Sequence, residues 1–501
     1  MLLMQNETEP HFEVAIIGAG FSGLGMAMAL KQDGIDDFVV LDRAADVGGT
    51  WRDNSYPGCA CDIPSVLYSW SDEQNPEWSR LFAPQPEILG YMKAVVARHD
   101  IDSHLRFGTD VQSAEWEDGR WRIETRQGTA LTADVVVSGA GALADPKIPD
   151  LPGLDRFTGT VFHSSRWNHE HDLTDKNVAV VGTGASAIQF VPRIQPDVKR
   201  LHLFQRTPPW VLPRAEPEIP KRWRRTLQRH PRLMHATRRA MFSLLETFHF
   251  AFRHPALMRL TTERRAVRHI QKQVADPELR AKLIPDYRMG CKRVLGSDRW
   301  YPAISASNVD VIAGGVNHVT EHGIVDELGV EHEVDTIIFG TGFEATNPPI
   351  ARRIRGRDGN TLAATWQGSP KAHLGVAANG FPNLFFLLGP NTGLGHNSVL
   401  LMVEAQTAYV RQALAYRRRH GLATIEPDPA AQASFLAEVD EGTKGSVWTA
   451  GGCASWYLDS TGRNSTLWPG SVRAYRRRLA RFNPSEHHIT QPRPARVLTQ
   501  V

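Results

Sequence analysis

Two glycine-rich turns hold the residues whose types and spacing best suit cofactor chemistry. The first turn follows a short apolar run, Val14–Ile17, and places Gly18, Gly20 and Gly23 in a GxGxxG pattern. The first glycine of this pattern permits a tight bend, the second lets the backbone approach a pyrophosphate, and the third lets a helix lie close to the strand. We therefore predict a dinucleotide site near the start of the chain.

An acidic residue completes this first pattern. A helix predicted over Ser22 to Lys31 leads to a second apolar run, Phe38–Leu41, which ends at Asp42. The N-terminus of such a helix offers free N–H groups to phosphate, and a carboxylate at the end of the second strand accepts hydrogen bonds from ribose hydroxyls. Because N-terminal units of this kind are typical of flavoproteins, we predict that this site binds FAD.

The second glycine turn repeats the pattern in the middle of the chain. It follows the apolar run Val178–Val181 and contains Gly182, Gly184 and Ser186, with Ala187 in the place of the last glycine. The strand–turn–helix order again favours binding of a dinucleotide pyrophosphate.

A basic residue marks the end of the next strand in this second unit. Leu201–Phe204 is followed by Arg206 and Thr207, where NAD-binding proteins place a carboxylate. A guanidinium binds a 2′-phosphate through two hydrogen bonds, whereas a carboxylate would repel it. The sequence therefore predicts NADPH at the second site, and the pair of sites predicts hydride transfer from NADPH to flavin.

The elements that must position these turns are buried parallel strands. Apolar runs of strand length occur at Val14–Ile17, Phe38–Leu41, Val135–Val137, Val178–Val181, Thr336–Phe339 and Leu384–Leu388. We predict an α/β fold with two Rossmann-like dinucleotide-binding domains and a helical insertion. The predicted boundaries are 1–145 and 344–501 for the FAD-binding domain, 146–212 and 291–343 for the NADPH-binding domain, and 213–290 for the insertion.

The insertion is rich in Arg and His and has helix-like spacing. We interpret it as an ordinary helical insertion whose basic residues are solvated and whose apolar face packs on the body of the protein. The alternative is a helix that lines the substrate site or touches a membrane, because Ala240–Phe252 is mostly apolar.

Bulk properties exclude several classes of protein. The 501 residues include 57 Lys+Arg and 54 Asp+Glu, a balance that gives no reason to expect a nucleic-acid partner. No apolar run reaches the roughly 20 residues of a membrane span, and Met1–Pro10 fits neither a signal nor a transit peptide. The cysteines are few and scattered, so we expect no disulfide framework, no metal site and a cytoplasmic location. They are Cys59, Cys61, Cys291 and Cys453. The oligomeric state stays open.

A segment between the two glycine turns carries a family resemblance. Phe157, Gly159, His163 and Trp167 resemble the FxGxxxHxxxW fingerprint of type I Baeyer–Villiger monooxygenases, within the flavin-containing monooxygenase superfamily. The family pattern normally ends in Pro or Asp, and this chain has Asn168. The resemblance implies that the segment couples the domains.

A second resemblance lies upstream. Gly49, Thr50 and Trp51, followed by the Tyr-Pro-Gly at 56–58 and by Asp62, resemble the GxWxxxxYPGxxxD pattern of the same enzymes. The resemblance implies cofactor contacts for the first three residues and makes Asp62 the active-site aspartate that orients an arginine. Because Cys59 and Cys61 lack the CxxC spacing of a redox pair, we interpret them as packing residues.

The resemblance also implies the remaining site residues. Lys292 and Arg293 are similar to the family's active-site pair, with Lys292 near the NADPH phosphate and Arg293 catalytic, and Trp456 resembles a residue that contacts the nicotinamide cofactor. A fixed guanidinium stabilises an anionic flavin peroxide and the oxyanion that follows its attack on a ketone. Asp335–Phe343 and Gly389–His396 extend the resemblance, which covers residues 12 to 480.

These patterns together predict an enzyme that uses FAD, NADPH and O2. The implied reaction converts a ketone to an ester or lactone through a flavin C4a-peroxide. One alternative keeps the cofactors but oxygenates the sulfur or nitrogen of a sulfide or amine, and Asn168 is the one feature in its favour. Another is an NADPH-dependent flavoprotein reductase, and the missing CxxC argues against its disulfide-reducing form.

Overall fold

The structure is a computed structural model that describes residues 9–491, apart from the side chains of Pro255 and Leu257. The prediction for Met1–Pro10 falls largely outside the described residues. Twenty strands are present in this part of the chain: β1 (His11–Ile17), β2 (Phe38–Leu41), β3 (Leu105–Arg106), β4 (Val111–Glu117), β5 (Arg120–Thr125), β6 (Ala130–Ser138), β7 (Thr160–His163), β8 (Asn177–Val181), β9 (Arg200–Gln205), β10 (Val211–Leu212), β11 (Leu295–Gly296), β12 (Val309–Ala313), β13 (Val316–Val319), β14 (Gly323–Asp326), β15 (Glu331–Glu333), β16 (Thr336–Phe339), β17 (Ile354–Arg355), β18 (Leu384–Phe386), β19 (Thr424–Pro427) and β20 (His487–Thr490).

Fifteen α-helices lie within the same described range: α1 (Phe21–Gln32), α2 (Thr50–Asp53), α3 (Gln85–Arg98), α4 (Ala187–Ile194), α5 (Lys221–Arg229), α6 (Pro231–Arg253), α7 (Pro255–Met258), α8 (Arg264–Gln273), α9 (Pro277–Leu283), α10 (Trp300–Ile304), α11 (Leu362–Trp366), α12 (Leu400–Arg419), α13 (Pro429–Thr443), α14 (Val447–Ala450) and α15 (Val472–Arg478). Between residues 9 and 491 no helix has both the length and the apolar character needed to cross a membrane.

The first sheet positions the first glycine turn. Its strand order is β17-β4-β5-β6-β1-β2-β3, and β18 also pairs with β6. β1 is central and parallel to both neighbours, with Ile16 opposite Val40 on one side and Val137 on the other. Such strands are buried on both faces, which explains their continuous apolar runs. Gly18 follows β1 directly and therefore lies at the carboxyl edge of the sheet, where ligands bind in open α/β folds.

The second sheet positions the second glycine turn and the fingerprint. Its five strands are all parallel, in the order β12-β9-β8-β16-β7. The second glycine turn follows β8, Arg206 follows β9, and β16 lies between β8 and the fingerprint strand β7. The predicted α/β class with two Rossmann-type units is confirmed.

The segment that joins β10 to β11 is helical, as predicted for the insertion, and contains α5 to α9 with a π-helical turn at Arg259–Glu263. Helix α6 has 23 residues and buries Met234, Arg238 and Phe252.

The chain after Asn483 contributes a strand to a small sheet near the C-terminus. β20 pairs antiparallel with β19, and Ile489 lies opposite Ile425. A four-residue strand at the edge of a sheet is specified by its partner rather than by its own pattern, so a local sequence signal is weak.

Candidate active site

The first glycine turn forms a cradle of backbone atoms. Gly18 has a φ of 104°, and a Cβ at this position would lie 2.7 Å from the carbonyl oxygen of Gly139. Gly20 faces Gly49, since a Cβ on Gly20 would lie 3.7 Å from the Gly49 Cα. Gly23 lies in the first turn of α1. Side chains are thus absent where a pyrophosphate approaches the backbone, so the turn fits the predicted dinucleotide.

Asp42 lies at the end of β2, beside this turn, and is buried. Its Oδ2 accepts a hydrogen bond from the Ala19 N–H at 2.8 Å, and its Oδ1 accepts one from the Ala44 N–H at 2.9 Å. A carboxylate has about four acceptor sites, so lone pairs remain for ribose hydroxyls.

The short helix α2 begins after Gly49 and contains Thr50 and Trp51. The Trp51 side chain is buried, and its Nε1 donates to the hydroxyl of Tyr68 at 3.0 Å. The structure therefore brings Gly49, Thr50 and Trp51 next to the first glycine turn, as the resemblance implies.

The second glycine turn lies against the end of β16. A Cβ on Gly182 would lie 2.5 Å from the carbonyl oxygen of Gly340, and one on Gly184 would lie 3.9 Å from the same atom. Ser186 directly precedes α4, in which Gln189 accepts a hydrogen bond from the Tyr56 hydroxyl. Tyr56 belongs to the Tyr-Pro-Gly signature, so this turn touches the segment that leads to Asp62.

Two basic side chains, Arg206 and Lys292, lie close enough beyond this turn to repel each other. Arg206 follows β9 with an exposed side chain, and Thr207 comes next. The Lys292 ammonium lies 5.0 Å from the centre of the Tyr287 ring. Burial and the charge of Arg206 lower the pKa of Lys292, while Asp286 acts against them. A phosphate bound between Arg206 and Lys292 would relieve their repulsion, which makes this the candidate site for the NADPH 2′-phosphate.

Asp62 and Arg293 form a bidentate ion pair. The Arg293 Nε donates to Asp62 Oδ2 at 2.6 Å, and Nη2 donates to Oδ1 at 2.7 Å. The Asp62 and Arg293 side chains are 31% and 29% exposed, so part of the ion pair is accessible from solvent. Burial alone raises the pKa of Asp62, but the charge and hydrogen bonds of Arg293 outweigh it and hold that pKa below its ordinary value. The Asp62 charge raises the pKa of Arg293, which stays cationic.

Tyr457 is a site residue that the sequence reasoning did not assign. Its side chain is 1% exposed and lies close enough to Arg293 for that charge to act on the phenol. Burial raises the pKa of this phenol, so it stays protonated at neutral pH. Trp456 is 42% exposed, and its ring centre lies 4.6 Å from that of Tyr457. Position next to Trp456 was the only sequence signal for Tyr457.

Arg214 is a second unassigned residue near the ion pair. Its charge lowers the pKa of Asp62, and its Nη2 donates to the carbonyl oxygen of Cys61 at 3.4 Å. The guanidinium carbon lies 4.1 Å from the centre of the Phe82 ring. No motif in the sequence indicates Arg214, because its place depends on how the insertion begins.

The fingerprint packs β7 against its neighbour β16 in the second sheet. A Cβ on Gly159 would lie 2.4 Å from the carbonyl oxygen of Asp335 and 2.6 Å from the Phe157 ring. Burial lowers the pKa of His163 to about 4, so its imidazole is neutral. The ring centres of His163 and Phe343 lie 5.6 Å apart.

Trp167 connects the fingerprint to α4, and α4 in turn contacts the segment that precedes Asp62. Its ring centre lies 5.2 Å from that of Phe190 in α4. In the same helix Gln189 accepts a hydrogen bond from the Tyr56 hydroxyl at 3.0 Å and donates one to the Ala60 carbonyl at 3.0 Å. A continuous set of contacts therefore runs from the fingerprint to the segment that holds Asp62.

The cysteines divide into two pairs. Cys291 and Cys453 form a single disulfide, a pairing that the sequence analysis did not predict. The bond joins the segment of Lys292 and Arg293 to the loop of Trp456, and a separation of 162 residues gives no sequence signal for such a pairing. Cys59 and Cys61 are buried thiols, and burial raises the pKa of Cys59 to about 12. This agrees with their interpretation as packing residues.

The chain matches a family of known flavoenzymes over most of its length. Residues 11–360 match the family model described as flavin-binding monooxygenase-like. The chain belongs to this family. It is 49% identical over 495 residues to a Baeyer–Villiger monooxygenase of Streptomyces coelicolor, covering 98% of this chain and 95% of the relative. A Baeyer–Villiger monooxygenase of Pseudomonas aeruginosa is also 49% identical, over 96% of this chain and 92% of its own.

Solved structures give the same result for this flavin-binding monooxygenase-like chain. The structure called OTEMO in complex with FAD and NADP matches with a TM-score of 0.87 and 26% identity, covering 96% of this chain and 100% of that chain. Cyclohexanone monooxygenase from Rhodococcus sp. Phi1 bound to NADP+ matches with a TM-score of 0.85 and 28% identity over 97% and 100%. The predicted superfamily and enzyme class are confirmed.

Proposed function

We propose that this protein is a Baeyer–Villiger monooxygenase that uses FAD, NADPH and O2 to convert a ketone to an ester or lactone. The observation that carries the proposal is the bidentate Asp62–Arg293 pair in a chain with two glycine turns shaped for dinucleotides. The names of the two 49% identical relatives support the same reaction. In the overall balance, one oxygen atom of O2 enters the product and the other leaves as water.

The proposed FAD site is formed by Gly18, Gly20, Gly23, Asp42, Gly49, Thr50 and Trp51, with Asp62 at its edge. The proposed NADPH site is formed by Gly182, Gly184, Ser186, Arg206, Thr207, Lys292 and Trp456. When bound, the flavin accepts a hydride from NADPH and activates O2. We propose the domain division 1–145 with 344–501, 146–212 with 291–343, and 213–290 as the insertion.

Arg293 supplies a fixed positive charge in this proposal. The negative charge that develops on the ketone oxygen would lie beside the guanidinium, which needs no reorganisation because Asp62 already holds it. Arginine stays protonated, so Arg293 acts electrostatically and does not donate a proton. In this proposal the buried Tyr457 phenol, which lies close to Arg293, helps to hold the guanidinium in place.

Two alternatives have weaker support. Asn168 was the feature that favoured oxygenation of a sulfide or amine, but its side chain accepts the N–H of Glu170 at 3.1 Å, which is a local turn contact. A disulfide reductase needs reactive thiols, whereas Cys59 is buried with a raised pKa. We retain a cytoplasmic location as part of the proposal, because NADPH is an intracellular reductant.

Product identification tests the proposal. The purified protein, loaded with FAD, would be incubated with NADPH, isotopically labelled O2, a panel of ketones and one thioether, and the products analysed by mass spectrometry. An ester or lactone with one labelled oxygen supports the proposal. Sulfoxide as the one product would favour heteroatom oxygenation, and consumption of NADPH without any oxygenated product would contradict both reactions for the panel tested.

A further inference from the structure

The helical insertion carries a large excess of positive over negative charge. Residues 213–290 contain 18 Lys+Arg and 7 Asp+Glu, an excess of 11 positive charges, whereas the whole chain has an excess of 3. The rest of the chain is therefore net negative. Such a separation of charge within one chain indicates a surface that meets an anionic partner.

In the most basic part of the insertion, the two acidic side chains contact the rest of the protein. Between Lys221 and Arg268 there are 13 Lys+Arg and only two acidic residues, Glu246 and Glu263. Glu263 is buried and accepts the Met289 N–H at 3.0 Å. Glu246 accepts a hydrogen bond from Asn397 at 3.3 Å. The outer surface of this region therefore lacks carboxylates from its own helices.

Large apolar side chains are exposed in the same region. Leu244 and Phe248 are 57% and 48% exposed and lie one turn apart on α6, where residues four apart are neighbours. Phe250, on another side of α6, and Leu260, in the π-helical turn, are 58% and 57% exposed. We call Leu244 and Phe248 the apolar patch. Exposed arginines follow it in the sequence, namely Arg253, Arg259, Arg264 and Arg265.

The C-terminal end of α6 packs on the protein near the candidate site. The Phe252 ring lies 5.7 Å from the Trp448 ring, and a Cβ on Gly290 would lie 2.8 Å from a Phe252 ring carbon. Gly290 directly precedes the disulfide-bonded Cys291. The end of the helix is thus anchored through the buried Phe252, whereas the apolar patch one and two turns earlier is exposed.

We propose that the apolar patch and the arginines around it bind the surface of an anionic phospholipid bilayer. Exposed Leu and Phe side chains bordered by arginines match the composition of segments that lie in the membrane interface, with apolar groups below the headgroups and basic groups on the phosphates. A second copy of this chain would bring two strongly positive surfaces together. A nucleic acid would neutralise the arginines but would not bury the exposed aliphatic side chains of Leu244 and Leu260.

Vesicle flotation with the purified full-length protein tests this directly. The probes are vesicles of phosphatidylcholine alone and of phosphatidylcholine mixed with phosphatidylglycerol. We expect binding to the mixed vesicles at about 0.1 M salt, weaker binding at about 0.5 M salt, and little binding to phosphatidylcholine alone. Equal binding to both vesicles, or no binding to either, would overturn the proposal. The assay needs no turnover, so its result is independent of the proposed reaction.

Matched variants locate the contact. The double variants Leu244→Ser with Phe248→Ser, and Arg264→Glu with Arg265→Glu, should each weaken vesicle binding about tenfold or more. Leu328→Ser with Val330→Ser is the apolar control, since these residues are 84% and 51% exposed in the turn between β14 and β15. Lys199→Glu with Arg352→Glu repeats the change of net charge at other exposed positions.

The controls also separate other partners from a bilayer. An equal loss of vesicle binding in the control variants would overturn the assignment of binding to this patch. A concentration-dependent dimer that Phe248→Ser abolishes would identify a second copy as the partner and overturn the proposal. Displacement of the protein from vesicles by a short DNA duplex, with unchanged DNA binding in the Leu244→Ser and Phe248→Ser variant, would identify nucleic acid and overturn it as well.

Discussion

Arg293 holds Asp62 through two hydrogen bonds, from Nε at 2.6 Å and from Nη2 at 2.7 Å, across a sequence separation of 231 residues. Asp62 follows the Tyr-Pro-Gly signature of the first domain, and Arg293 follows the insertion. In the proposed domain division the pair therefore joins the FAD-binding and NADPH-binding domains, and the proposal places the meeting point of the two cofactors beside it.

The first prediction concerns the pH dependence of stability. The pKa of Asp62 is lowered in the folded protein, so its carboxylate stabilises the fold above its unfolded pKa of about 4 and loses that effect as pH falls through the lower folded pKa. Wild type should therefore lose more stability than Asp62→Asn between about pH 5 and pH 2. Urea unfolding midpoints across this range measure it. Asp150→Asn, at an exposed position, is the control, and identical pH slopes for wild type and Asp62→Asn would contradict the prediction.

The second prediction concerns the choice of nicotinamide cofactor. Arg206→Ala should raise the KM for NADPH by about 10- to 100-fold and leave the KM for NADH nearly unchanged, because only NADPH has the 2′-phosphate. Steady-state kinetics with both cofactors measure the change. Arg200→Ala, at the other end of β9 and ion-paired with Asp310, is the control. Equal effects of Arg206→Ala on both cofactors would exclude the proposed phosphate contact.

The third prediction concerns Tyr457 as a positioning residue. Tyr457→Phe keeps the ring but removes the hydroxyl that lies close to Arg293, so the rate of ester formation should fall about 3- to 10-fold while NADPH consumption continues. The ratio of ester formed to NADPH consumed is the measurement that a merely structural role would leave unchanged. Tyr301→Phe is a matched control, because the Tyr301 hydroxyl is also buried and has no hydrogen-bond partner among residues 9–491. A ratio equal to wild type in Tyr457→Phe would remove this role.

The fourth prediction concerns the fingerprint glycine. A Cβ at residue 159 would lie 2.4 Å from a backbone oxygen, so Gly159→Ala should destabilise the protein by about 1–3 kcal/mol. Gly90→Ala is the control, since it lies in α3 with open space around its Cβ position. Chemical denaturation of both variants measures the difference. Equal stability of the two variants would show that β7 and its neighbours move easily to make room.

Sequence predicted the strands and glycine turns well because their signals are local. The apolar runs that end at Gly18, Gly182 and Arg206 each form a buried parallel strand where expected. The pairing of Asp62 with Arg293 came from family resemblance, since no periodicity relates residues so far apart.

The rest of the site depends on tertiary contacts that leave no local pattern. Tyr457 and Arg214 have common residue types and reach the ion pair only after the insertion and the C-terminal loop have folded. The disulfide between Cys291 and Cys453 likewise requires two distant loops to meet. Neither spacing nor composition could assign these three features.

Replacement of Arg293 tests the central claim most directly. In Arg293→Ala, anaerobic reduction of bound flavin by NADPH should proceed at nearly the wild-type rate, while ester formation from a ketone substrate falls by about 100-fold or more, because the fixed charge beside the ketone oxygen is lost. Arg288→Ala, at a neighbouring arginine that is 47% exposed and paired with Glu263, should leave both reactions unchanged. Ester formation at the wild-type rate in Arg293→Ala would contradict the account.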